Sequence, residues 1–128
     1  MIFGIGTDCV QIDRIEKLLN QFEEKTLKRL FTPTEIARAD KSTCAENKIR
    51  TFAKRFAAKE AVSKALGTGL GKIGLTDIEV QNQSTGQPQI VLHGAAQIFA
   101  QTHGIKRVHI SLSHSEVYAI ATAIVEEG

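Results

Sequence analysis

Tryptophan is absent from this chain of 128 residues, which has one tyrosine and six phenylalanines. So sparse an aromatic set, with no basic stripe interleaved among it, argues against a nucleic-acid partner. Cysteine is scarce too. Cys9 and Cys44 stand far apart without the paired spacing of a metal site, and they read as two reduced thiols. No apolar run approaches the roughly 20 residues of a membrane span, and no charged stretch leads into an apolar one at the start. The expectation is a cytoplasmic protein without membrane contact. Repeats, low-complexity segments and linkers are also missing, so residues 1–128 read as one domain.

What the chain does have is a hydrophobic fraction of 42%, enough for a modest core, and a net charge of only +2. That charge is unevenly placed. Thirteen of the 16 Lys and Arg residues lie between Met1 and Lys64, with nine of the 14 Asp and Glu residues. A basic first half suits an anionic ligand or an acidic protein partner.

"MIFGIGTDCVQI" predicts a first strand, and Ile12, Ile15, Leu18, Leu19 and Phe22 follow at helical spacing. "FTPTEIARAD" starts another helix, with Thr32 as cap, Pro33 in the first turn and Glu35 three residues after the cap. A long helix is predicted from about Glu46 to Leu66, ended by Gly67 and Gly69. Period two then takes over. "LTDIEVQN" and "QPQIVLH" read as strands around a turn, "GAAQIFAQTHG" as a short helix, and "IKRVHISLSHS" and "VYAIATAIV" as a closing hairpin. The fold class is α+β, with an N-terminal strand, several helices including a long central one, and a mainly antiparallel sheet.

Gly4, Gly6 and Asp8 fall on one face of the first strand, because side chains alternate. Two missing side chains beside a carboxylate leave room for a ligand or for a packed helix. Glu60 poses a sharper question. It lies in an apolar sector with Ala53, Phe56 and Ala57, where an ionised carboxylate needs a compensating charge. Lys64 is one turn on, whereas Arg55 lies about 140° away from Glu60 around the axis, with Lys59 on Arg55's stripe. Two carboxylates on different elements suit Mg²⁺, which takes one or two carboxylates and keeps its other positions for water and phosphate oxygens. Lys64, Arg55 and the backbone amides of the turn from Gly67 would then face the phosphates. "HISLSHS" places no serine in a nucleophile-elbow context, and the four histidines lack ligand-like grouping. His114, at the hairpin end, reads either as a ligand contact or as a plain turn residue.

With "GIGTDCVQIDRI", "RLFTPTEI", "RFAAKEAVSKALGTG" and "HISLSHS" in this order, the chain resembles the holo-(acyl-carrier-protein) synthases. These are the small bacterial type of 4′-phosphopantetheinyl transferase, and the resemblance runs over essentially the whole length. It implies Mg²⁺-dependent transfer of the phosphopantetheine arm from coenzyme A to a serine of apo acyl carrier protein, in support of fatty acid biosynthesis. Adenosine 3′,5′-bisphosphate would be the other product. By the same resemblance, Asp8 and Glu60 hold the metal, with Lys64 adding positive charge beside them. Arg55, Lys59, Gly67 and His114 take coenzyme A, and Arg14 meets the acidic carrier protein. A homotrimer with coenzyme A between subunits is also implied. Two other readings use the same residues: a Mg²⁺-dependent nucleotide phosphohydrolase with water as nucleophile, and a non-catalytic coenzyme A-binding module.

Overall fold

The computed structural model describes residues 1–21, 24–67 and 73–128. Strand β1, Ile2–Gln11, runs straight into helix α1, Ile12–Gln21, which buries Ile12 and Ile15. The Ile12 N–H donates to the Val117 carbonyl at 2.9 Å, tying the start of α1 to the far hairpin. Helix α2, Glu24–Leu30, is an element that apolar periodicity did not reveal. Its sequence EKTLKRL buries no residue fully, so it carries little core signal.

Helix α3, Pro33–Asp40, starts as its sequence requires. Thr32 caps it, Pro33 occupies the first turn, and Thr32 and Glu35 bond reciprocally. The long helix α4, Ala45–Leu66, ends on Gly67 in the left-handed conformation, which costs glycine little. The expected strand start at Leu75 is displaced, because Leu75–Asp77 closes a single 3₁₀ turn. Strands β2, Ile78–Asn82, and β3, Pro88–Leu92, follow. Helix α5, Gly94–Thr102, and the hairpin of β4, Ile105–His114, and β5, Tyr118–Glu127, complete the chain.

Among the described residues the strands form two antiparallel sheets rather than one, ordered β1–β5–β4 and β2–β3. In the larger sheet the first strand pairs with the last. Cross-strand rows alternate between its faces: Gly6, Ala123 and Ile110 share one row, and Thr7, Thr122 and Ser111 the next.

Helix α4 packs on the Gly6 face, and the fit is set by small residues. Ala53, Ala57, Ala61 and Ala65 recur every fourth position and are all buried. Opposite them lie Gly4, Gly6, Ala119, Ala121 and Ala123. A Cβ on Gly4 would fall 1.9 Å from the Ala65 carbonyl oxygen, and one on Gly6 would fall 2.0 Å from that of Ala61. The glycine face anticipated in β1 therefore receives a packed helix, at backbone contact. A second part of the core, where α3 and β2 meet α4, is filled by Phe31, Phe52, Ile78 and Val80. The two rings lie 4.7 Å apart.

Candidate active site

Because β1 crosses α4 in the sense Gly4 over Ala65 and Gly6 over Ala61, the next inward residue, Asp8, arrives beside the middle of the helix. Lys64 donates to Asp8 Oδ1 at 3.0 Å and to the Thr7 carbonyl at 3.1 Å. It thus reaches across to the strand and makes no ion pair along the helix with Glu60. The Asp8 side chain is 11% exposed, and its Oδ2 is buried with no hydrogen-bond partner. A carboxylate oxygen in that state is costly without a cation or a donor.

Glu60 is half-buried in the same neighbourhood. Burial raises its pKa and the Asp8 charge raises it further, while Lys64 and Arg14 pull the other way. The sequence-predicted residues Asp8, Glu60, Lys64 and Arg14 are therefore one electrostatic group. Among the described residues no cluster of three or more His, Cys, Asp or Glu could hold a metal. A pair of carboxylates with one unpartnered oxygen fits a hard cation that keeps most of its positions for water and phosphate. It does not fit a closed structural metal site.

The expected coenzyme A contacts divide. Lys59 must be corrected: its side chain is wholly buried, paired with Glu35 at 2.6 Å, and touches no surface. Burial lowers its pKa, and the Glu35 carboxylate opposes that shift. Gly67 is corrected as an amide donor, because its N–H bonds the Lys64 and Ser63 carbonyls in capping α4. The rest of that turn, Thr68 to Lys72 and so Gly69, lies outside the described residues, as does Phe22.

Arg55 is buried but borders a cleft. One terminal nitrogen donates to Asn82 Oδ1 at 2.6 Å, while its buried Nε has no partner. Its side chain lines a cleft of about 340 Å³ with Lys54, Asn82, Gln87 and Leu112. His114 stands exposed at the end of β4, one inward position beyond Leu112. Desolvation, then the charges of Lys54 and Arg50, hold its pKa below the usual histidine value. Sequence reasoning missed Arg50 and Lys54. Their signal was an i, i+4 basic pair on α4, without any sign that β4 would bring His114 to it.

The family model of the 4′-phosphopantetheinyl transferase superfamily matches residues 4–123. The chain is similar to the holo-[acyl-carrier-protein] synthase of Vibrio parahaemolyticus, 46% identical over 98% of both chains. Among solved structures it is similar to the holo-[acyl-carrier-protein] synthase of Neisseria meningitidis. There the TM-score is 0.90 at 34% identity, with 99% of this chain and 100% of that one covered. It also matches the Helicobacter pylori synthase in complex with coenzyme A, with a TM-score of 0.83 at 34% identity, covering 95% of this chain and 99% of that one.

Proposed function

Because the chain belongs to the 4′-phosphopantetheinyl transferase superfamily, among the holo-[acyl-carrier-protein] synthases, we propose that it transfers phosphopantetheine from coenzyme A to apo acyl carrier protein. The observation that carries this reading is the convergence of Asp8 and Glu60, with one carboxylate oxygen buried and unpartnered. In the reaction the carrier serine hydroxyl gives up its proton, to water or to the Glu60 carboxylate, as its Oγ bonds to the phosphorus bearing the pantetheine arm. The bond from that phosphorus to the bridging pyrophosphate oxygen breaks, and adenosine 3′,5′-bisphosphate leaves.

Asp8 and Glu60 would hold Mg²⁺, whose charge when bound offsets that on the pyrophosphate oxygens. Lys64 is half-exposed while bonded to Asp8, so it can present positive charge to the same oxygens. The cleft lined by Arg55 and Lys54 would take the nucleotide end, with His114 near the charges of Lys54 and Arg50. To test this, coenzyme A consumption and adenosine 3′,5′-bisphosphate release are followed by chromatography, with and without apo carrier protein. Release that depends on the carrier supports transfer. Release without it indicates a phosphohydrolase, and coenzyme A binding without release indicates a binding module.

Arg14 is the proposed carrier contact. It is exposed on the first turn of α1, and its charge is felt at Glu60. Beside α1 lies a cavity of about 1140 Å³ floored by Leu19, Leu27, Ile49 and Phe52, with Lys25, Glu24 and an Asp40-paired Lys48 among its polar lining. An acidic helical partner suits such a surface. Arg14→Ala should raise KM for the carrier protein and leave coenzyme A affinity unchanged. Added salt should slow the wild type more than the variant, since charges are screened over about 8 Å at physiological strength. Weakened coenzyme A binding with intact carrier affinity would move Arg14 to the nucleotide site.

A homotrimer belongs to the same proposal. The outer face of the large sheet exposes Ile5 at 67% and Ile120 at 39%, with Thr7, Cys9 and Thr122 between them, which supports self-association there. Light scattering after size exclusion should report three chains. Mixing two variants inactivated at different residues should restore part of the activity. A fully active monomer would contradict the shared site.

A further inference from the structure

Lys59 is next in sequence to Glu60 yet points into the interior. Its ammonium donates to Glu35 Oε1 at 2.6 Å, to the Leu75 carbonyl at 2.9 Å and to the Ile78 carbonyl at 2.6 Å, using all three donors. Glu35 is equally occupied. It accepts from the Thr32 N–H on Oε1 and from the Val80 N–H on Oε2, each at 2.9 Å. One ion pair thus joins α4 to the cap of α3, to the turn at Leu75 and to β2. One turn back along the same stripe, Arg55 holds Asn82 at the other end of β2.

Successive helical side chains point about 100° apart, so fixing the direction of Lys59 fixes that of Glu60. The same anchor stops α4 from sliding along its axis. A cation site built on two carboxylates, with no third among the described residues, depends on this, because Mg²⁺ demands near-ideal geometry. Stability alone is a poor reason for such a pair, since uncharged replacements of buried ion pairs are often neutral or stabilising.

We propose that the buried Lys59–Glu35 pair sets the rotation of α4 and so aims Glu60 at Asp8, making Lys59 a positioning residue for the transfer. This rests on Asp8 and Glu60 being the cation site. Lys59→Met alone leaves Glu35 buried without its counter-charge and risks unfolding, so the working variant is Lys59→Met/Glu35→Gln. Glu35→Gln alone, which keeps the side chain's shape, is the second. Folding is checked by circular dichroism, and Mn²⁺ binding to the protein without coenzyme A is read by electron paramagnetic resonance.

The folded variants should bind Mn²⁺ about tenfold more weakly, the lower end of what loss of a group supporting a metal ligand does. Their kcat should fall in step, with KM for the carrier protein unchanged. Wild-type Mn²⁺ affinity and kcat in a folded variant of either kind would overturn the proposal. Glu60→Gln is measured beside them. If it weakens Mn²⁺ binding while the Lys59 and Glu35 variants do not, the cation site stands and only the positioning role falls. If Glu60→Gln leaves Mn²⁺ binding unchanged, both fall together.

Discussion

Asp8→Asn and Glu60→Gln should each lower the transfer rate at least about a hundredfold, ~2.7 kcal/mol of barrier, in protein that remains folded. Each change removes a negative charge from a site that has two carboxylates, with no third among the described residues to compensate. Folding should survive for an electrostatic reason. Burial and the Asp8 charge already disfavour an ionised Glu60, so a neutral isostere there relieves a cost. At Asp8 the asparagine keeps an oxygen acceptor for Lys64, whose half-exposed ammonium can also reach water. Glu60→Gln should therefore melt no lower than the wild type by circular dichroism. Near-normal turnover at low Mg²⁺ in both variants would remove the carboxylate pair from the mechanism.

The largest effect on stability is expected at Gly6. An alanine Cβ there would lie 2.0 Å from the Ala61 carbonyl oxygen, 2.8 Å from the Ala65 nitrogen and 3.0 Å from Lys64 Cβ. Two of these are backbone atoms of α4 and cannot rotate aside. Overpacking usually costs about 1–3 kcal/mol, and Gly6→Ala should lie at or above the top of that range. The melting midpoint should fall by roughly 10 °C. Activity should drop even where the variant is folded, because lifting β1 from α4 also carries Asp8 away from Glu60. Gly74→Ala is the control: among the described residues its Cβ would meet the Asp77 carboxylate alone, at an ordinary 3.7 Å. Equal stability of the two variants would contradict the backbone-contact crossing.

The carboxylate pair was legible in the sequence because strand and helix periodicities each fix which residues share a face. Asp8 with Gly4 and Gly6, and Glu60 with Ala53 and Ala57, needed no tertiary information. Lys59 was misread for the complementary reason. Periodicity put it on one stripe with Arg55, but what that stripe faces depends on where β2 and α3 pack. Glu35 shows the same limit. Its capping role is local and was visible, whereas its bond to Lys59, 24 residues away, is not. Helix α2 escaped because it buries nothing fully, and the meeting of Arg50 and Lys54 with His114 depends on the edge position of β4. The split into two sheets follows from pairing between the first and last strands, which no local pattern encodes.

Intact mass spectrometry of an apo acyl carrier protein, after incubation with this protein, coenzyme A and Mg²⁺, tests the transfer most directly. The carrier should gain the mass of one phosphopantetheine group on its acceptor serine. That gain should require all three components and vanish with Asp8→Asn. A carrier of unchanged mass, whether coenzyme A is hydrolysed or only bound, would contradict the assignment.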